Sequence, residues 1–289
     1  MDYFHLEKFL SKKINHSSID IIGLSVLKRY IYSVCFDFNS KHTVIIHGAI
    51  HAREHITTDL ICLLIKDISS NYEKYTKMNF PNIIFVPMVN PDGVELVYNG
   101  LKSVSDKNKR KELLKINGSN DFSLFKANAN GVDLNTNFDA KWGSGDQNKV
   151  FPASSDYIGL CPMSEPEVRA LALLTINTKA CFTISYHSKG QEIYYEFFNK
   201  KENIKRDRKI AKLISKKLHY RIRNLQNVSG GGYKDWCIYR LDIPAVTIEV
   251  GKDCWIHPIK ENKLKQIYNR NKNIIKILNV IVKEIEKNE

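Results

Sequence analysis

The chain has 289 residues, 43% apolar and 26% charged, an ordinary balance for a globular protein with a large buried core. No apolar run is long enough to span a bilayer, and residues 1–10 lack a basic start followed by an unbroken apolar stretch, so no signal peptide and a cytoplasmic location are expected. A net charge of +13 raises the question of nucleic acid, but the lysines spread over helix-like segments at 200–217 and 260–287 with no aromatic interleaving and no nucleic-acid module, so that partner is not expected. The basic surface favours acidic substrates instead. Six scattered cysteines (Cys35, Cys62, Cys161, Cys181, Cys237, Cys254) include no C-x-x-C pair, and several sit in apolar runs, as buried thiols of a reducing compartment do.

In chain order, periodicity predicts a helix near 3–14, strands near 30–37 and 42–49, a helix near 56–71 and a strand near 82–89. The stretch 98–160 is rich in Asn, Gly, Ser and Asp and poor in periodic pattern. It is expected to be mostly loop, and loops this long in a compact domain are usually functional or disordered. A helix near 164–177 opens on Ser164-Glu165-Pro166-Glu167, a cap followed by Pro and an acidic first turn. Strands near 181–187 and 192–197, helices near 202–218 and 233–241, a strand near 244–250 and a helix near 261–286 complete the chain. No repeat or linker divides it. The alternation predicts one α/β domain over 1–289, a mixed, mostly parallel twisted sheet with helices on both faces. In such sheets the site lies at the carboxyl ends of the strands.

Chemistry concentrates at three predicted strand ends. His51 and Glu54 stand three residues apart after the apolar run 43–50, and His187 closes Ile184-Ser185-Tyr186-His187-Ser188. Catalytic zinc takes three protein ligands of this kind and leaves a fourth position open. Glu249, inside Val246-Thr247-Ile248-Glu249-Val250, supplies a candidate base. Blander readings stand beside these. A His-x-x-Glu pair arises by chance, and a lone His187 is compatible with a satisfied core histidine. Glu249 is harder to dismiss, because a carboxylate in an apolar strand needs a partner or a metal. His51-Ala52-Arg53-Glu54-His55 also matches the inverted zincin pattern H-x-x-E-H, with His51 and His55 as ligands and Glu54 as base. That alternative requires the pentapeptide to be helical. A β-branched run and Gly48 precede it, and the helical pattern begins only near Thr57.

Taken together these residues resemble a known family. Gly48-Ala49-Ile50-His51-Ala52-Arg53-Glu54-His55-Ile56-Thr57 resembles the first zinc motif of the carboxypeptidase A-type metallopeptidases, and Asn90-Pro91-Asp92-Gly93 resembles their turn after the next strand. Gly131-Val132-Asp133-Leu134-Asn135-Thr136-Asn137-Phe138 resembles their Asn-Arg substrate motif. Ser185-Tyr186-His187-Ser188 resembles the third-ligand strand, and Thr247-Ile248-Glu249 the catalytic glutamate strand. Five motifs in order over about residues 20–255 are specific where each alone is weak. The resemblance implies a zinc carboxypeptidase-like fold and one Zn2+ per chain, held by His51, Glu54 and His187. It implies Glu249 as general base and acid, Asp133 as the carboxylate fixing the tautomer of His51, and Arg53 as a contact to substrate beyond the scissile bond. An ordinary turn aspartate at 133 and a solvated charge at 53 remain the plain alternatives.

The departures narrow the expectation. Exopeptidases of this family place an arginine beside Asn135 to clamp a free terminal carboxylate; this chain has Thr136, and a hydroxyl cannot replace a bidentate guanidinium. Asn227 falls where relatives carry a loop tyrosine. Lys126-Ala127-Asn128-Ala129-Asn130-Gly131 shows asparagine where relatives carry the arginine that polarises the scissile carbonyl, so Lys126 or Asn130 takes part, or zinc carries that role. Lys234 falls at the family's specificity position and implies a negative group in the substrate, with an exposed helix-start lysine as the alternative. Loss of the clamp and gain of the lysine fit the γ-D-glutamyl-meso-diaminopimelate peptidase branch, as does the segment 185–195. Diaminopimelate carries the second carboxylate that Lys234 would bind. The expected reaction is zinc-dependent hydrolysis of a γ-D-glutamyl–diaminopimelate bond in murein peptides. The alternatives are an ordinary metallocarboxypeptidase, a deacylase of small N-acyl amino acids, and an inactive binder of cell-wall fragments. Peptide length and oligomeric state stay open at this stage.

Overall fold

A computed structural model describes residues 1–78, 80–223 and 230–287. Among them eight strands form one mixed sheet: β1 (Ser18–Leu24), β2 (Tyr30–Phe36), β3 (Thr43–His47), β4 (Asn82–Val86), β5 (Phe182–Ser188), β6 (Glu192–Tyr194), β7 (Arg221–Ile222) and β8 (Ala245–Val250). Their order is β1-β2-β4-β3-β5-β8-β6-β7. The central pairs β4–β3, β3–β5 and β5–β8 are parallel, while β1–β2, β2–β4 and β6–β8 are antiparallel. The helices are α1 (Tyr3–Leu10), α2 (Ile56–Ser70), α3 (Tyr72–Thr76), α4 (Pro91–Asn99), α5 (Lys107–Asn117), α6 (Pro166–Asn177), α7 (Ile204–Leu218), α8 (Tyr233–Leu241), α9 (Leu264–Asn271) and α10 (Leu278–Glu286). None is long and apolar enough to cross a membrane.

Side chains on successive strand residues point to opposite faces. Val44 and Ile46 of β3, Phe182, Ile184 and Tyr186 of β5, and Val246, Ile248 and Val250 of β8 join α1, α2, α7, α9 and α10 in one large core. Ile45 of β3 and Ala245 of β8 join α6 and α8 in a second core on the other side. A fully buried Ile contributes roughly 1.5–3 kcal/mol over leaving it in water, so these layers lock the register. On the second face β5 and β8 become polar toward their ends, at Ser185, His187, Thr247 and Glu249. The parallel β5–β8 register sets His187 directly beside Glu249, so alternation alone brings a candidate ligand and the candidate base to one face.

Several elements depart from the sequence expectation. The helix expected over 3–14 ends at Leu10, the strand expected over 192–197 ends at Tyr194, and the expected 261–286 helix is broken between Asn271 and Leu278. Strand β1 carries no sequence signal; it is an edge strand whose residues are exposed or only partly buried, so no period-2 burial marks it. The stretch 98–160 contains α5, which buries only Leu113. Its signal is capping rather than amphipathicity: the Asp106 side chain accepts from the backbone N–H groups of Asn108 and Lys109, and Gly118 closes the helix at φ 70°. Leu113, Leu96, Phe122, Phe125 and Ala127 form a small separate core. That core anchors the segment that delivers Lys126 and Asp133 to the site.

Candidate metal centre and substrate cavity

The loop after β3 is braced before it turns. Asn90 Nδ2 donates to the carbonyls of Ile50 (3.2 Å) and Ala127 (3.0 Å), while its Oδ1 accepts from Gly93 N (2.9 Å). At Gly93 a Cβ would stand 2.5 Å from the Ala127 carbonyl oxygen, so only glycine permits this approach. His51 is extended (φ −91°, ψ 127°), Ala52–Glu54 form one 3-10 turn, and α2 starts at Ile56. The turn brings His51 and Glu54 to the end of β5. His51 Nδ1 lies 3.0 Å from Glu54 Oε1, His187 Nδ1 lies 3.1 Å from Glu54 Oε2, and the two Nδ1 atoms are 3.1 Å apart. All three side chains are buried.

Two imidazole nitrogens and a carboxylate that converge this closely in a buried place repel through their lone pairs unless a proton or a cation lies among them. The N, N, O donor set and the three-ligand count suit catalytic zinc. Burial pushes the Glu54 carboxyl up, but His51 and His187 overcome that and hold it well below its ordinary range, ionised as a ligand must be. Ser188 N also donates to Glu54 Oε2 at 3.1 Å.

Asp133 braces His51 from behind. It is fully buried, with Oδ1 3.2 Å from His51 Nε2, ion-pair range although the ring N–H is not aligned for a hydrogen bond. Its Oδ2 lies 2.7 Å from Lys126 Nζ. Burial acts to raise the Asp133 carboxyl, but Lys126 and His51 outweigh it and keep the group ionised. An ionised Asp133 facing Nε2 fixes the proton there and leaves Nδ1 as the donor atom. Lys126 stays charged despite burial, because Asp133 and Asp156 flank it.

Glu249 differs from every other acid at the site. Its Oε2 is buried and has no hydrogen-bond partner among the described residues. Burial pushes its carboxyl up to about 8; His187 opposes that shift and Glu54 adds to it. A carboxyl poised near neutrality beside the ligand cluster can both take and return a proton. It opens on a cavity of about 240 Å³ walled by Asn135, Tyr194, Phe197, Arg223 and Lys234.

The expected site residues do not all gather there. Asn135 and Lys234 line the cavity. Asn135 Oδ1 accepts from Tyr233 N (3.1 Å), and Gly231 (φ 83°) touches Thr136, whose carbonyl oxygen would lie 2.2 Å from a Cβ there. The Thr136 hydroxyl donates to the Asp133 carbonyl at 2.8 Å, with the Tyr157 carbonyl 3.3 Å away. Asn130 turns away from the cavity, its Nδ2 on Glu165 Oε2 (2.9 Å) and its Oδ1 accepting from Lys109 (3.2 Å). Arg53 is half-buried, with a buried, unpartnered Nε. Asn227 lies outside the described residues. His55 stays out of the cluster, its Nδ1 3.0 Å from Tyr98 OH, and burial pushes its ring down to about 3. With the pentapeptide not α-helical either, the inverted zincin geometry is absent. His47, buried and 2.8 Å from Ser185 Oγ, is held well below its ordinary range by burial and by His187 and His51. It is a neutral structural histidine. Arg223 and Glu192 escaped the sequence reading; the signal available was the pair Arg221 and Arg223 two residues apart, the first in the short strand β7 and the second just past its end.

A zinc carboxypeptidase family model matches residues 4–274, and the chain belongs to that family. Its members are zinc metallopeptidases, and His51, Glu54 and His187 form a group able to hold the ion. The chain is 34% identical over 254 residues to the γ-D-glutamyl-L-diamino acid endopeptidase 1 of Lysinibacillus sphaericus, an alignment covering 83% of this chain and 62% of that protein. The chain thus spans under two thirds of that relative's length. The fold matches bovine thrombin-activatable fibrinolysis inhibitor, solved with a tick carboxypeptidase inhibitor, at TM-score 0.74 and 20% identity over 99% of this chain and 96% of that one. It also matches the murein-tripeptide amidase MpaA of Escherichia coli O157, at TM-score 0.56 and 18% identity over 91% of each chain.

Proposed function

We propose that this protein hydrolyses the γ-D-glutamyl–diaminopimelate amide bond of murein peptides. The observation that carries the reading is at Thr136. Where a terminal-carboxylate clamp belongs, its hydroxyl is committed to the backbone, while the cavity beyond Glu249 has two cations in its wall, Lys234 and Arg223. A substrate held by a side-chain carboxylate suits this arrangement better than one held by a free terminus. The endopeptidase relative points to the same bond class.

In this reading His51, Glu54 and His187 hold one zinc ion. Zinc supplies Lewis acidity, lowering the pKa of water and polarising a carbonyl. Glu249 takes the proton from the attacking water and returns it to the leaving amine. Asp133 keeps His51 in the tautomer that presents Nδ1. Lys126, charged and tied to Asp133, adds positive potential near the scissile carbonyl, where the family's arginine is missing. Asn135 contacts the residue after the cut, and Arg53 the substrate on the far side of the scissile bond. Asn130 takes no part, because its amide is bound to Glu165.

Mass spectrometry of murein tri- and tetrapeptides incubated with the zinc-loaded protein, beside a plain C-terminal peptide and an N-acyl amino acid, tests this. A released diaminopimelate-containing fragment supports it. Faster removal of ordinary C-terminal residues returns the carboxypeptidase alternative, and cleavage of the N-acyl amino acid alone the deacylase. Binding without any cleavage returns the inactive binder.

A further inference from the structure

Two cations line the cavity, and they are in different electrostatic states. Lys234 Nζ donates to the Glu196 carbonyl (2.8 Å), sits 2.5 Å from Asp235 Oδ1, and lies 5.6 Å from the centre of the Phe197 ring. Its charge is neutralised by its own chain neighbour, and its donors are turned to the wall. Arg223 is held differently. Its Nε donates to Glu192 Oε1 at 2.8 Å, and its Nη1 and Nη2 have no partner among the described residues. Glu192 is itself buried, anchored on Oε1 by Arg221 at 3.0 Å and on Oε2 by the Tyr194 hydroxyl at 2.8 Å. The antiparallel β6–β8 register pairs Glu192 with Glu249, so this anchor stands one strand from the base.

From this geometry we infer that Arg223, not Lys234, recognises the side-chain carboxylate of the residue after the cut. The claim rests on the proposed substrate only for which carboxylate is bound. Glu192 is shared by two arginines, Arg221 and Arg223, whereas Lys234 and Asp235 pair one to one, so Glu192 neutralises Arg223 less completely than Asp235 neutralises Lys234. A guanidinium fastened through Nε presents the terminal edge that meets a carboxylate with two parallel hydrogen bonds. Anchoring also removes much of the freedom a long side chain otherwise loses on binding. Lys234 then acts as a positioning residue that fixes Asp235, Phe197 and the cavity wall.

The test is calorimetric binding of free meso-diaminopimelate and L-lysine, which differ by one carboxylate, to the zinc-loaded protein, with kcat/KM for γ-D-glutamyl peptides ending in each residue. The unaltered protein should prefer diaminopimelate in binding. Arg223→Met should erase that preference, with a loss of about tenfold or more for diaminopimelate, the scale of one charge-assisted hydrogen bond, and little change for lysine. Arg223→Lys should recover part of it. Lys234→Met should weaken both ligands alike. An unaltered preference in Arg223→Met, a preference erased by Lys234→Met instead, or no preference in the parent protein overturns the inference. If the parent binds diaminopimelate through Arg223 but leaves the γ-D-glutamyl bond intact, the proposed reaction fails and the carboxylate site stands.

Discussion

The metal centre and the cavity beside it are built in opposite ways. At the centre every group is buried and braced: Glu54 by both histidines and Ser188 N, His51 by Asp133, Asp133 by Lys126. The cavity wall is more open, and its charges are paired locally, Lys234 with Asp235 and Arg223 with Glu192. The centre needs geometry that does not change from substrate to substrate. The wall needs a charge pattern that can be retuned by a single residue without disturbing catalysis. Glu249 stands where the two meet, with one oxygen held free.

The largest effect should come from the ligands. His51→Ala or His187→Ala should empty the centre and abolish turnover, while His55→Ala keeps close to one zinc per chain, all read by elemental analysis of the purified proteins. Loss of zinc in His55→Ala with full occupancy in Glu54→Gln would break the division drawn here and restore the inverted zincin. Next, Glu249→Gln should retain zinc and fold while turnover drops about 10²–10⁴-fold, the range that general acid–base catalysis supplies; near-normal rates would remove it from the mechanism. Asp133→Asn should lower zinc affinity about 10–100-fold, as loss of such outer partners does; a competition titration against a chelator that shows no change would reduce Asp133 to a loop brace.

The smallest effect sharpens the contrast with a second acid that burial pushes up to about 8, Glu167, whose shift Asp92 reinforces. Glu167 has both oxygens occupied, accepting from Val26 N at 3.1 Å and Asn128 Nδ2 at 3.2 Å, whereas Glu249 Oε2 accepts from nothing described. A raised carboxyl pKa is therefore not by itself a catalytic mark; Glu249 differs in lining the cavity and in leaving Oε2 without a described partner. Because the folded value lies above the unfolded one, the stabilisation from neutral Glu167 is complete below about pH 4.5 and is lost as pH rises through about 8. Glu167→Gln should flatten that decline in a Tm-versus-pH series, at roughly 2–4 °C per kcal/mol for a chain of this size. A parallel decline in the variant would assign the slope to other groups.

Much of this is legible in the sequence. The apolar runs before His51 and around His187 and Glu249 mark buried strands, with His187 and Glu249 inside β5 and β8 and His51 just past β3, and fixed spacing carries that signal locally. The helix α5 and the edge strand β1 were not legible, because one buries a single leucine and the other is only partly buried, so neither leaves a period in the sequence. Asn130 looked like a candidate for the missing arginine's role, but its partner, Glu165, is 35 residues away in sequence.

The sequence by itself determined the α/β class and singled out His51, Glu54 and His187 as candidate ligands and Glu249 as candidate base, because strand alternation and short-range spacing dictate which side chains share a face. Only the tertiary structure decided which cation is spent and which is available. Lys234 is neutralised by the residue beside it, but Arg223 is aimed by Glu192, a contact across 31 residues that exists only once β6 lies between β7 and β8. Charge is written in the sequence; whether it is already paired depends on distances that folding alone sets.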